Sequence, residues 1–322
     1  MLKTIFSESQ IDYFCPTFQT IGSLYTKEAQ NSSLQSFLVN RLKAYVALAK
    51  MRLATFVVFS AVLSYFFAAE TINWWSVLWV VAGGFLVTGS SNGFNQILEK
   101  DYDALMDRTK NRPIPGGLIS VKEAFWVSGL MGIIGVSILW FCLNPLSGLL
   151  GTLALVIYVG VYTPLKRITS FSVFVGAIPG AIPPMLGYIA ETGKFGLTPG
   201  LFFAIQFMWQ FPHFWAIAWK LNDDYAKGGY FLLPSPSGKT KSSALQIVLY
   251  TVALIPVSLT PWYFDITGSI SAIVIALMGI YFLYYAVRLF FECSDKAAVK
   301  LMFASFIYLP VVQIALFLDK VG

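Results

Sequence analysis

The 322 residues are 57% hydrophobic and only 12% charged, where a soluble domain carries about a quarter charged residues, so composition excludes a soluble globular protein and indicates an integral membrane one. The three cysteines, Cys15, Cys142 and Cys293, are far apart and form no C-x-x-C pair, which leaves no basis for a disulfide framework or a zinc site. A net charge of +6 would suit a nucleic-acid partner, but where the charges fall gives it another meaning.

Residues 1–40 are polar and of mixed charge, with Lys3 and Lys27 set against Glu8, Asp12 and Glu28. They contain neither the apolar core of a signal peptide nor the arginine-rich, acid-poor character of a mitochondrial transit peptide. A short cytoplasmic extension is expected here, with residues 41–322 forming the membrane domain. From Leu42 onward nine apolar segments are each long enough to cross roughly 30 Å of hydrocarbon. They lie near 45–69, 74–98, 123–142, 146–164, 171–190, 198–219, 243–263, 268–290 and 300–318, and the split between the third and fourth rests on Asn144-Pro145. The expected fold class is therefore an all-α polytopic membrane protein with nine transmembrane helices.

Placing the N-terminus inside puts all but Lys194 and Lys320 of the 22 lysines and arginines on that same side. That is a strong positive-inside bias. The basic excess sets orientation, and nucleic acid is not needed to explain it. The inside loops, after spans two, four, six and eight, are the long and chemically rich ones, so activity is expected at the cytoplasmic face with the C-terminus outside.

The richest stretch runs from Ser91 to Gly117. Asn95, Glu99, Asp103 and Asp107 arrive at intervals of four, which on a helix lays them along one slowly drifting face. Arg108, Lys110 and Arg112 follow at once, and Pro113, Pro115, Gly116 and Gly117 end the helix. An amide and three acids met by cations suit a polyphosphate bridged by Mg2+, which takes oxygen ligands and binds through only a few carboxylates. The bland alternative is a solvated loop. Against it stands the position of Asn95 and Glu99 inside the last turns of a span, where ionisable groups are costly and usually functional.

A second constellation repeats this logic. Span six ends in Asp223 and Asp224, then Tyr225, Lys227, Gly228 and Gly229. Two acidic helix ends about 120 residues apart suggest two halves facing each other across one cavity. The sole histidine, His213, lies within span six after Pro212; a buried histidine reads either as a hydrogen-bonded core group or as a ligand. After span four, Lys166 and Arg167 follow Tyr162-Thr163-Pro164-Leu165, either as topology-setting charges or as phosphate-binding cations. Span five gathers Gly176, Pro179, Gly180, Pro183, Pro184 and Gly187, which permits kinks and close backbone approach.

Taken together these residues are similar to a known family. N-Q-x-x-E-x-x-x-D from Asn95 to Asp103, M-D-R-T-K-N-R-P from Met106 to Pro113 and Y-T-P-L-K-R from Tyr162 to Arg167 are three of its motifs. G-A-I-P-G-A-I-P-P-M-L-G-Y from Gly176 to Tyr188, W-Q-F-P-H-F-W-A-I-A-W from Trp209 to Trp219, D-D-Y from Asp223 to Tyr225 and L-L-P at Leu232 to Pro234 complete the set. The chain resembles the UbiA superfamily of intramembrane prenyltransferases, and within it the branch that farnesylates protohaem IX to haem O. The resemblance runs from about Lys50 through Pro234. The family's first motif is commonly N-D-x-x-D-x-x-x-D; here Glu99 keeps a carboxylate with longer reach, while Gln96 brings none.

The resemblance implies a nine-helix UbiA-like bundle around a central cavity, and without transit-peptide composition a bacterial plasma membrane is the expected location. It implies farnesyl diphosphate and haem b as substrates, with a haem A synthase as a partner acting downstream. Asn95, Glu99, Asp103 and Asp224 are the implied holders of Mg2+ and of the diphosphate, with Lys166 beside them. Arg108, Lys110, Arg112 and Arg167 are candidate partners for the remaining phosphate oxygens, with Asp107, Asp223, Tyr162 and Tyr225 lining the substrates. His213 is the candidate haem contact. Three rival readings are a quinone-type aromatic prenyltransferase, which shares the acidic motifs without needing His213, a transporter, which needs polar groups along a continuous path, and a non-catalytic haem-delivery factor, which can dispense with the acidic ladder.

Overall fold

A computed structural model describes residues 39–321, so the expected extension at 1–40 lies almost entirely outside the described residues, as does Cys15. By its contacts the chain divides into Met1–Val46 and Ala47–Gly322. The described part of the first unit, residues 39–46, is helical. All the long helices named below belong to the second.

Helix α1, Met51–Ala68, starts after Lys50, whose left-handed backbone (φ 50°) separates it from helical residues 47–49. The first expected span, 45–69, is therefore broken near its start. Helix α2, Trp74–Asp103, begins where the Asn73 side chain accepts from the N–H groups of Trp75 and Ser76, filling two of the donors that a helix start leaves free. At 30 residues it exceeds the roughly 20 that a bilayer crossing needs, and the excess carries Asn95, Glu99 and Asp103.

Helix α3, Val121–Leu143, is capped by Ser120, which accepts from Glu123 N–H. Asn144 then caps α4, Pro145–Leu165, by accepting from Ser147 N–H, with Pro145 at the first helical position. Asn144-Pro145 is thus the boundary expected of it. α3 ends in a π-helical stretch, Ile138–Leu143, and α4 contains one, Ile157–Tyr162, just before its last turn, Thr163–Leu165.

Helix α5, Ser172–Thr192, is continuous despite Pro179, Pro183 and Pro184 and closes on Gly193 in the left-handed conformation. It packs closely against α1 and α6. A methyl group on Gly187 would sit 1.8 Å from the Ala61 carbonyl oxygen of α1, so only glycine fits there. At Gly176 it would meet the Tyr162 ring at 2.6 Å. Small residues at helix contacts are what associates helices in lipid, where the hydrophobic effect gives little drive.

Helix α6, Leu197–Lys220, is followed by a short helix, Asn222–Lys227. Helix α8, Ser269–Glu292, packs on both α7, Lys241–Tyr263, and α9, Asp295–Leu318, and those two pack on α6. Phe211, Trp215 and Trp219 of α6 enter that shared apolar core.

Among the described residues, eight helices are long and apolar enough to cross a membrane, against the nine spans expected. The exception is α6. It is 24 residues long, but Gln206, Gln210, Pro212 and His213 lower its apolar character, and all four are buried within the protein. Polar groups in such a helix are tolerable when they face the interior.

The second unit encloses a cavity of about 450 Å³. Phe56 and Ser60 of α1, Asn92 of α2, Tyr158 and Tyr162 of α4, and His213 of α6 are among its walls.

Candidate active site

The α2 ladder is buried as the spacing predicts. Asn95, Glu99 and Asp103 are each no more than 5% exposed. Arg112 Nη1 lies 2.6 Å from Asp103 Oδ2, Lys166 Nζ pairs with Glu99 Oε1, and Lys50 Nζ donates to Asn95 Oδ1 at 3.3 Å. Asn95 is further fixed by its Nδ2, which donates to Thr163 Oγ1 at 3.3 Å. Three cations from three segments thus converge on an amide and two carboxylates.

Lys50 is the residue that motif reading missed, although a lysine inside a predicted span is itself a functional signal. Its place is built by α2. Asn92 Nδ2 donates to Ala49 O at 3.1 Å and Gln96 Nε2 to Leu48 O at 2.8 Å, holding the carbonyls freed where the helix breaks. Gln96 therefore braces the backbone that presents Lys50. Desolvation, then repulsion from Arg112 and Lys166, brings the Lys50 ammonium down to about 7.

The fourth rung of the ladder is corrected. α2 ends at Asp103, because Thr109 Oγ1 turns the chain back to donate to Asp103 O at 2.8 Å. Asp107 lies in the turns beyond, exposed and paired with Lys110 at 2.7 Å and with Lys227. Hydrogen bonds from Lys110 and Lys227 hold its carboxyl down at about 2, and the bond to Asp107 raises Lys227.

In the second acidic motif, Asp224 accepts from the backbone N–H groups of Asp107 at 2.8 Å and Arg108 at 3.3 Å. It clamps the loop after α2. Asp223 points outward to Lys239 at 3.3 Å and is kept low by hydrogen bonds from Asn222 and then Lys239. The two acidic helix ends do meet, but by loop contacts.

The remaining residues sort by location. Arg108 stacks over the Tyr225 ring and Arg167 over Tyr102, at 5.6 and 4.0 Å. Lys166 sits 4.9 Å above the Tyr162 ring and 5.6 Å from Tyr230. Tyr230 is buried next to the ladder, which pushes its phenol up; no sequence signal singles it out. Tyr158 joins Tyr162 on the cavity wall, their rings 5.1 Å apart.

Among the described residues no three His, Cys, Asp or Glu side chains gather as a ligand set. Magnesium needs no such set, because it binds through one or two carboxylates with substrate phosphates and water. Asp103 Oδ1 is buried without a hydrogen-bond partner and is an oxygen of the type that Mg2+ takes. The donor set of Asn95, Glu99 and Asp103 fits the ion.

Comparison with known proteins identifies the family. Residues 57–309 match the model of the UbiA prenyltransferase family. A protoheme IX farnesyltransferase of Christiangramia forsetii is 50% identical over 284 residues, covering 87% of this chain and 94% of that protein. One from Cytophaga hutchinsonii is 46% identical, covering 88% and 100%. In fold, the chain is similar to a digeranylgeranylglyceryl phosphate synthase, with TM-score 0.72, 20% identity and coverage of 87% and 98%. It is also similar to a UbiA homologue from Archaeoglobus fulgidus bound to GPP and Mg2+, with TM-score 0.58, 13% identity and coverage of 85% and 99%. The buried ladder, its cations and the family match over most of the chain lead to one conclusion: the chain belongs to the UbiA prenyltransferase family and is a multi-pass membrane prenyltransferase.

Proposed function

We propose that the chain transfers the farnesyl group of farnesyl diphosphate to a vinyl group of haem b, water adding to give haem O. The observation that carries the chemistry is the buried ladder of Asn95, Glu99 and Asp103, ringed by Lys50, Arg112 and Lys166, beside an apolar cavity. The identity of the acceptor is supported by the relatives named protoheme IX farnesyltransferase.

Lys50, Arg112 and Lys166 receive the diphosphate oxygens as charge-assisted donors. Asn95, Glu99 and Asp103 would hold Mg2+, which would neutralise charge on the leaving diphosphate. As the allylic carbon–oxygen bond breaks, these cations stabilise the negative charge that develops on the leaving group. Tyr158 and Tyr162 turn aromatic rings towards the cavity, where a ring face favours a cation. The apolar walls keep water from the farnesyl cation. The vinyl π electrons form the new bond to its C1, and the carbon left cationic beside the macrocycle takes water and loses a proton. His213 is the haem contact. The active face is cytoplasmic and the membrane a bacterial plasma membrane, with haem O passing to the haem-copper oxidases directly or through a haem A synthase.

The test is turnover by purified protein in lipid, given haem b, farnesyl diphosphate and Mg2+. The expected product is a haem heavier by one farnesyl group and one water. Prenylation of an added aromatic acid with no change to haem would move the chain to the quinone-directed reading. Haem binding without turnover of either acceptor would favour the delivery-factor reading.

A further inference from the structure

We propose that Ser305 is a positioning residue that fixes the tautomer of His213 and presents its Nε2 lone pair to the cavity as an axial ligand for haem iron. The inference rests on haem being the acceptor and states how this chain would hold it.

The proton count decides the tautomer. Ser305 Oγ lies 2.5 Å from the Met302 carbonyl oxygen. A carbonyl only accepts, so the hydroxyl proton is committed there. The same Oγ lies 2.7 Å from His213 Nδ1. With its proton used, it can only accept, so Nδ1 carries the hydrogen. Burying an unpaired imidazolium is costly, and no carboxylate contacts the ring among the described residues. The ring is neutral, and its second nitrogen, Nε2, keeps a lone pair.

Among the described residues Nε2 has no hydrogen-bond partner, and His213 lines the cavity. The amide donors on the same wall are engaged elsewhere. Gln210 Nε2 donates to Ala177 O at 2.9 Å and Gln206 O at 3.2 Å, and Gln313 Nε2 to Ser60 Oγ at 3.0 Å and Gln206 Oε1 at 3.1 Å.

The ring is also held still. Trp209, one turn earlier on α6, stacks on it with centroids 4.5 Å apart and planes at 16°. The Trp209 indole N–H donates to the Ser305 carbonyl oxygen at 3.0 Å. Phe306 meets the ring edge-on at 4.9 Å. Ser305 thus fixes both His213 and the ring stacked upon it. A histidine whose far nitrogen donates to an oriented oxygen, leaving the other nitrogen free, has the arrangement found in metal-ligating histidines.

The test is haem b titration into the full chain in lipid nanodiscs, read by Soret absorption, by resonance Raman of the iron–histidine stretch and by haem affinity. Wild type is expected to show imidazole ligation. His213→Gly should lose that signature and regain it with added imidazole. Ser305→Ala should weaken haem binding by about tenfold, the lower end for loss of such a partner, and shift the iron–histidine stretch; Ser305→Thr, which keeps the hydroxyl, should restore both. An unchanged spectrum in His213→Gly overturns the ligand assignment. Unchanged affinity and stretch in Ser305→Ala, with His213 still ligating, overturn the role of Ser305. Turnover of haem by a wild-type protein without imidazole ligation would overturn the inference and leave the proposed function standing, whereas no uptake of haem at all overturns both.

Discussion

Asp103 holds Arg112 with one oxygen and leaves the other buried without a partner, so its removal would strip a metal ligand and strand a cation at once. Asp103→Ala is expected to lower kcat by about 10²–10³-fold, the scale for losing one group that stabilises transition-state charge, with the protein still folded by circular dichroism. Its neighbour on the motif behaves differently. Gln96 braces Leu48 O, so Gln96→Leu should cost about 1–2 kcal/mol of stability by leaving a buried carbonyl unpaired, seen in denaturant unfolding, and should lower kcat less than Asp103→Ala does, because it loosens Lys50 without removing a charged group. Equal loss of kcat in both would refute this division of labour. Spacing of four made the three buried rungs legible. It could not show that the helix ends at Asp103, because the Thr109 contact that turns the chain is made by folding back.

Between elements, the loop after α2 and the short helix Asn222–Lys227 are tied by Asp224 and by the Asp107–Lys227 pair. Asp107 is depressed to about 2 in the fold from an ordinary value near 3.8. A depressed acid stabilises fully above its unfolded value and loses that contribution as pH falls through the folded one. The loop should therefore stay closed at neutral pH and open between about pH 4 and 2. Lys227, raised by the same bond, gives the opposite edge, with closure lost only above its ordinary alkaline range. Faster hydrogen exchange of the loop amides, compared at matched intrinsic rates, would report either opening; flat protection across the acid window would contradict the pairing. At the α1–α5 contact, Gly187→Val must push against the Ala61 backbone, and overpacking of this kind costs about 1–3 kcal/mol. A lowered unfolding midpoint in detergent checks it. Composition announced that span five has tight contacts, but the partner of each glycine is a tertiary fact.

At the scale of the whole molecule, the charge asymmetry makes orientation testable. With native cysteines replaced, Lys194→Cys should react with a membrane-impermeant maleimide on intact cells, and Lys110→Cys only after permeabilisation. The reverse pattern would invert the topology and place the ladder outside.

What the sequence by itself determined is what depends on local spacing and composition: helices, their approximate ends, the membrane as solvent, and an acidic ladder at one helix end followed by cations. These follow because a helix repeats every 3.6 residues and a bilayer demands long apolar runs. What only the tertiary structure decided is which groups share a pocket. Lys50 reaches Asn95 because α1 breaks next to α2. Asp224 clamps the loop after α2 because the fold brings the backbone N–H groups of Asp107 and Arg108, more than a hundred residues away, to its carboxylate. His213 Nδ1 meets Ser305 Oγ, 92 residues away. A hydrogen bond is settled by distance and by who has a proton to give, and across such separations neither is written in the order of residues.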